Sequence, residues 1–159
     1  MTFAVRELGG EAFRRLAAGD PPEPGLVLPE RALAPPEVLD MLCAIADALR
    51  PEIDPNAWMV IEGQRVVALC SVTGLAEPGL PMIGYGTAPG EESRGAATAA
   101  VAGVLAWAGA DPRIRAVGAE TGVDNLASQR VLERNGFDVA GQRVDGEDGP
   151  VVCWRWTKD

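Results

Sequence analysis

Histidine is absent from the 159 residues of this chain. Its absence excludes Ser-His-Asp triads, histidine zinc ligands and imidazole general bases. Tyrosine is nearly absent too, since Tyr85 is the only one. The three cysteines, Cys43, Cys70 and Cys153, lie far apart and have neither CxxC nor metal-ligand spacing. We interpret them as reduced, buried thiols of a cytoplasmic protein, and we expect no metal site.

The chain also lacks long apolar runs and an excess of positive charge. Hydrophobic residues make up 47% of it, but no run reaches the roughly 18 residues of a membrane span. No basic amino-terminal region precedes an apolar stretch, so we do not expect secretion. The 14 Lys and Arg face 23 Asp and Glu, a net charge of -9. That charge repels nucleic acid and anionic membranes and attracts a cationic substrate, or it serves only to keep the protein soluble.

Hydrophobic periodicity predicts an α/β (α+β) protein with one domain over residues 1–159. The predicted order is strand, helix, helix, three strands, helix, strand, helix and two strands. A nearly unbroken apolar run within Arg65–Thr73 indicates a central strand of the sheet. Six of the thirteen prolines lie between Asp20 and Pro36, and we expect this segment to form an ordered strap.

The segment Ile83–Val101 is predicted to form a strand, a turn and a helix that begins near Ser93 or Arg94. Gly95, Ala96 and Ala97 at the start of that helix carry at most a methyl group. Unpaired backbone N–H groups at a helix start are then accessible to an anion, which favours a phosphate or pyrophosphate site. Small residues at a helix start are equally common as packing devices.

This segment is similar to the acyl-CoA-binding loop of the GNAT acetyltransferases, where a proline ends a strand and precedes Gln/Arg-x-x-Gly-x-Gly/Ala and a helix. Here the pattern runs from Glu92 to Ala97, with Glu92 at the position of Gln or Arg. A second segment, 125–137, resembles the family's Asn-x-x-Ala/Ser … Gly-Phe signature. The residues of both motifs are most similar to those of the branch that includes the ribosomal-protein N-terminal acetyltransferases.

The resemblance implies the GNAT fold, a mixed and mostly antiparallel sheet of about seven strands flanked by about four helices. It also implies acetyl-CoA as cosubstrate. The implied cofactor-binding residues are Thr87, Ala88, Ser93, Arg94, Gly95, Ala96, Ala97, Thr98 and Asn125. Among them, the backbone of Thr87 and Ala88 would donate to the thioester carbonyl. Arg94 would reach a phosphate or remain solvated, and Asn125 would bind the cofactor arm, cap a helix, or do both.

The resemblance implies two catalytic residues. Glu120 occupies the position of the general base in relatives of the ribosomal type, although it can also serve only to attract a cationic amine. Ser128 would stabilise the leaving thiolate, or it is a polar filler on its helix. Many relatives carry a tyrosine acid seven residues beyond the motif asparagine, where this chain has Leu132. Tyr85 is a second candidate for the acid.

The sequence therefore predicts an N-acetyltransferase that moves an acetyl group from acetyl-CoA to a primary amine by direct transfer in a ternary complex. The acceptor is a protein N-terminus or a small-molecule amine, and the acidic composition favours a cationic one. We expect the strap, the helix after it and the last hairpin to build the acceptor side. A degenerate acyl-CoA-binding module and a non-enzymatic interaction domain remain alternatives. Homodimers are frequent in the family, so the resemblance also allows a homodimer.

Overall fold

The computed structural model describes residues 2–158 and contains seven strands and four helices. In chain order these are β1 (Ala4–Glu7), α1 (Gly10–Ala17), α2 (Pro36–Leu49), β2 (Ala57–Glu62), β3 (Arg65–Glu77), β4 (Leu80–Thr87), α3 (Ala96–Ala110), β5 (Ala116–Gly122), α4 (Leu126–Arg134), β6 (Asp138–Asp145) and β7 (Gly149–Thr157). The predicted element order and fold class are confirmed. No helix between residues 2 and 158 is both long and apolar enough to cross a bilayer.

The strands form one mixed sheet in the order β1-β2-β3-β4-β5-β7-β6. The pair β4–β5 is parallel, and the other neighbouring pairs are antiparallel. The apolar run of β3 lies between β2 and β4, with both faces covered, as predicted for a central strand.

Helices cover both faces of this sheet. On one face, α3 and α4 pack over a core that includes Val104 and Val117. On the other face, α1 and α2 bury Phe13 and Leu39 against β2 and β3, where Met59 is fully buried. The strap packs on this second face, and Val27 forms an isolated bridge beside the start of β3.

The strands β4 and β5 pair over a short distance and then diverge. Their register contains only the pairs Met82–Gly118 and Ile83–Ala119, after which β4 continues to Thr87 and β5 to Gly122. Gly118 permits the close approach at this point, because a Cβ there would lie 2.5 Å from Met82 Sδ. The divergence opens the sheet along one edge of β4.

Candidate active site

A cleft of about 420 Å³ lies where β4 and β5 diverge, on the α3 and α4 side. Its walls are the end of β4, the loop before α3, the first turn of α3 and one side of α4. The lining residues are Tyr85, Gly86, Thr87, Glu91, Glu92, Ser93, Gly95, Ala96, Ala97, Thr98, Ala127, Ser128, Arg130, Val131 and Arg134. Most of the residues predicted to bind the cofactor therefore come together in one cavity.

The loop before α3 is shaped by residues in the left-handed region. Gly90 has φ 91°, Gly95 has φ 94°, and Ser93 reaches φ 65° although it has a side chain. Gly95 is the N-cap of α3 and makes no side-chain capping bond. The N–H groups of Ala96, Ala97 and Thr98 therefore have no partner within the helix, and small side chains leave them accessible from the cleft.

Arg94 belongs to a network of ion pairs and does not point into an open phosphate site. Its Nη2 donates to both carboxylate oxygens of Glu62, at 3.0 and 2.9 Å, and its Nη1 bonds Glu91. Arg65 bonds the same two carboxylates, and its hydrogen bond is the main reason that the pKa of Glu91 is lowered. This network ties the loop to the β2–β3 turn, which gives Arg94 a structural role.

Glu92, which departs from the family pattern, turns back toward its own loop. Its Oε2 accepts a hydrogen bond of 2.8 Å from the Gly90 N–H, and the residue is exposed. The carboxylate is thus held by its own turn, although Glu92 still lines the cleft.

The ladder between β3 and β4 determines which backbone donors face the cleft. The Ala88 N–H donates to Val67 O at 2.9 Å, and Ala88 is fully buried, so its amide is occupied by β3. Opposite pairs in an antiparallel ladder alternate between bonded and non-bonded. Because Thr87 pairs with Ala68 and Tyr85 with Cys70, the N–H groups of Thr87 and Tyr85 point away from β3. The cleft-facing donors are therefore Tyr85 and Thr87, and the expected donation from Ala88 does not fit this geometry.

The start of α4 forms the opposite wall of the cleft. Asn125 is its N-cap, and its Oδ1 accepts a 3.2 Å bond from the Ser128 N–H, so the capping alternative is present in the structure. The hydroxyl of Tyr85 crosses the cleft and donates to Ser128 O at 2.9 Å. Burial raises the pKa of Tyr85 to about 12. Tyr85 and Ser128 thus lie together where the strands diverge.

Two cleft residues, Arg130 and Arg134, were not anticipated from the sequence. With Ala127 and Val131 they lie on one face of α4, at spacings of three, four and seven residues. That helical spacing, counted from Ala127, was the available signal in the sequence. It could not be used without knowing which side of α4 faces the cleft.

Glu120 lies beside the same divergence but on the opposite face of the sheet. Ala119 belongs to the core under α3, so the next side chain projects toward the other face. There it lines a second pocket of about 490 Å³, here called the acceptor pocket, which also contains Thr73, Met82, Gly84, Arg143 and Asp148. The last hairpin lines this pocket through Arg143 and Asp148, whereas no described residue of the strap or of α2 does. That the strap, α2 and the last hairpin build the acceptor side stays a prediction.

Arg143 holds Glu120 in a bidentate ion pair. Its Nε and Nη2 donate to the two carboxylate oxygens, both at 2.6 Å, and Nη2 lies 3.3 Å from Asp145. The hydrogen bond from Arg143 is the main reason that the pKa of Glu120 is lowered. Glu120 is therefore ionised at neutral pH and already has a cationic partner.

Two further residues differ from or refine the sequence interpretation. Cys153 is only partly buried, unlike Cys43 and Cys70, and its Sγ lies 3.6 Å from Glu120 Oε2. Leu132, at the position of the tyrosine acid in many relatives, is fully buried in the core. The side chain at position 132 packs into the core and does not line the cleft.

Solved structures that share this fold include acetyltransferases. A GNAT-family acetyltransferase from Streptococcus pneumoniae has a TM-score of 0.70 at 12% identity, covering 99% of this chain and 100% of that one. The ribosomal-protein alpha-N-acetyltransferase RimL, in complex with coenzyme A, has a TM-score of 0.72 at 16% identity, covering 100% and 96%. AAC(6')-Ib, in complex with ribostamycin and coenzyme A, has a TM-score of 0.66 at 18% identity, covering 99% and 94%.

The fold is thus that of the acetyltransferases that bind coenzyme A. A comparison with curated protein sequences gave no significant match. The model of the acetyltransferase (GNAT) domain matches residues 29–138, which is more than half of the chain. The chain therefore belongs to the GNAT acetyltransferase family and is an acyltransferase that uses acetyl-CoA.

Proposed function

We propose that this protein transfers the acetyl group of acetyl-CoA to a primary amine by direct attack in a ternary complex, without a covalent enzyme intermediate. The divergence of β4 and β5 carries this proposal. Neighbouring segments of β4 line the cleft on one face, through Tyr85–Thr87, and the acidic pocket on the other face, through Met82–Gly84, so an opening between β4 and β5 would join them. An acetyl thioester in the opening can be attacked by an amine from the acceptor pocket while CoA departs along α4.

In this proposal the pyrophosphate binds the amides of Ala96, Ala97 and Thr98, at the positive end of the α3 dipole. Ser93 and Gly95 shape the turn that exposes them, and Arg94 positions the loop. The amides of Tyr85 and Thr87 donate to the pantetheine arm or the thioester carbonyl. Asn125 keeps α4 oriented, and its amide nitrogen remains a candidate donor to the arm.

The chemistry requires that the alkylammonium lose two protons on its way to the amide and that the departing thiolate be stabilised. An alkylammonium has a pKa near 10, so Glu120 attracts the cation and accepts its proton, directly or through water. The neutral amine nitrogen then forms a bond to the acetyl carbon, the carbon–sulfur bond breaks, and the second proton of the nitrogen passes to the departing thiolate, directly or through water. A hydroxyl, of Tyr85 or Ser128, donates to the departing thiolate. With a pKa of about 12, Tyr85 is protonated at neutral pH, and its single hydroxyl proton would exchange its bond to Ser128 O for one to the thiolate.

The charge of the acceptor pocket supports a cationic acceptor. Glu120 and Asp148 line the pocket together with a single guanidinium, that of Arg143, which also lies 3.3 Å from Asp145. The structural neighbours include a ribosomal-protein alpha-N-acetyltransferase and an enzyme in complex with ribostamycin. A protein N-terminus and a polycationic small molecule are therefore the first acceptors to test. A homodimer, a single domain over residues 1–159 and a cytoplasmic location also remain proposals.

Cofactor binding is tested by thermal unfolding with and without acetyl-CoA. At 100 times its dissociation constant the ligand should add about 2.7 kcal/mol to stability. Ala97→Asp places a carboxylate in the proposed pyrophosphate site and should abolish the gain. An acidic residue in the first helical turn is favourable in the free protein, so the variant should still fold. Ala97→Asn is the uncharged control and should retain most of the gain.

Transfer is tested by release of free CoA over a panel of amines. Glu120→Gln should lose most of the activity, while Glu133→Gln, an exposed carboxylate of α4, should not change it. Binding without turnover on any amine would favour the degenerate acyl-CoA-binding module, for which the buried Leu132 is the supporting observation. A native protein that does not bind acetyl-CoA would favour the interaction domain.

A further inference from the structure

Arg130 and Arg134 form a pair of neighbouring cations inside the cleft. They lie one helical turn apart on α4, so their side chains share one face, and both line the cavity. Both residues are exposed. Within residues 2–158 neither guanidinium has an ion-pair or hydrogen-bond partner.

In this acidic chain, whose net charge is -9, eight of the thirteen arginines bind carboxylates of the described residues, and Arg130 and Arg134 are the two arginines lining the cleft that do not. Other arginines bind carboxylates; Arg113 bonds Asp111, and Arg115 bonds Glu77. Even the arginine of the cofactor loop, Arg94, bonds Glu62 and Glu91. Two adjacent cations without acidic partners repel each other, and an anion between them would relieve that repulsion. The pair therefore has the character of an anion site.

The position of the pair along α4 indicates which anion it meets. Tyr85 and Ser128 lie together at the start of α4, where the thioester end of the cofactor is proposed to bind. The other end of α4 lies against the start of α3, since Asn135 Nδ2 donates to Thr98 O at 3.3 Å. The first turn of α3 is the proposed pyrophosphate site. Arg134 therefore lies at the nucleotide end of the cleft.

Coenzyme A carries a phosphate monoester on its ribose in addition to the pyrophosphate. We propose that Arg130 and Arg134 bind this ribose phosphate and make the protein discriminate CoA from 3′-dephospho-CoA. The proposal rests on the cofactor orientation given under the proposed function. Arginine suits the task because its planar guanidinium offers two parallel donors to phosphate oxygens.

The test measures dissociation constants of CoA and 3′-dephospho-CoA by titration calorimetry. We expect the native protein to prefer CoA by about tenfold or more, the effect of one or two charged hydrogen bonds. The double variant Arg130→Gln/Arg134→Gln should lose that preference through weaker CoA binding, with its affinity for 3′-dephospho-CoA unchanged. The matched control is Arg155→Gln, on the exposed side of β7 and outside the cleft, which should behave as the native protein.

A second double variant, Arg130→Lys/Arg134→Lys, keeps the charge and should retain part of the preference. Circular dichroism of each variant establishes that α4 has folded. Equal binding of the two ligands by the native protein overturns the assignment to the ribose phosphate, as does an equal loss for both ligands in the glutamine variant. Failure of the native protein to bind either ligand overturns the proposed function as well.

Discussion

At the scale of single residues, one hydrogen bond joins the two walls of the cleft, from the Tyr85 hydroxyl to Ser128 O. Tyr85→Phe removes the donor and leaves a partly buried carbonyl without it. We expect the free energy of unfolding to fall by about 1 kcal/mol, measured by urea denaturation. Ser128→Ala keeps the carbonyl and should leave stability nearly unchanged. Unchanged stability in Tyr85→Phe would show that this bond does not stabilise the wall, and a loss in Ser128→Ala would show that the Ser128 hydroxyl contributes separately.

The ion pair between Glu120 and Arg143 determines the protonation of the proposed base. Because the guanidinium lowers the pKa of Glu120, Arg143→Gln should raise it, and Arg143→Lys should raise it less. Carbon-13 NMR titration of the Glu120 carboxyl group measures this without an acceptor. If Glu120 is the base, the acidic limb of the rate profile should move to higher pH in the same order. An unchanged titration in Arg143→Gln would mean that the pair does not persist in solution.

At the scale of elements, two glycines of α3 should respond in opposite ways to substitution by alanine. A Cβ at Gly103 would lie 2.6 Å from Val5 Cγ1 and 3.0 Å from Val5 Cβ, whereas at Gly109 nothing lies within 4 Å. Alanine improves helix propensity by up to about 1 kcal/mol, but overpacking costs about 1–3 kcal/mol. Gly109→Ala should therefore stabilise the protein and Gly103→Ala should destabilise it in thermal unfolding. Stabilisation by both would mean that β1 moves away from α3 at little cost.

The elements also explain how much of the site could be predicted from sequence. The cap by Asn125 depends on residues within one turn of each other, so local spacing was sufficient. The sequence predicts the start of α3 near Ser93 or Arg94, but the helix begins at Ala96 because Ser93 and Gly95 have positive φ. The bond between Arg94 and Glu62 joins residues 32 positions apart, and it depends on the β2–β3 turn lying beside the loop. The pair Glu120–Arg143 depends on the order β5-β7-β6. Donation by Tyr85 in place of Ala88 depends on the β3–β4 register, which composition does not encode.

At the scale of the whole molecule, part of the acidic charge is held in short contacts: nine of the 23 carboxylates form ion pairs with arginines among the described residues. Five carboxyl groups have a lowered pKa, chiefly through hydrogen bonds from arginines or backbone amides: Asp47, Glu91, Asp111, Glu120 and Asp145. Folding therefore favours their ionised forms. The remaining negative charge acts in the opposite sense, because its mutual repulsion weakens the folded state at neutral pH.

On acidification, loss of the carboxylate contacts lowers stability, whereas relief of the charge repulsion raises it. High salt screens the repulsion, so the first effect can be measured alone. Below the ordinary carboxyl pKa near 4 the unfolded chain binds more protons than the folded one, so the contribution of these groups is complete above that pH and is lost as pH falls. For Asp111, whose pKa is about 2, the loss continues to about that pH.

At about 0.5 M salt long-range repulsion is screened, and urea unfolding should show stability falling steadily from pH 5 to pH 2. Asp111→Asn should lose less stability than the native protein between pH 4 and pH 2. A flat profile, or one identical in the variant, would show that these ion pairs do not stabilise the fold, and that the acidic surface acts only through its net charge.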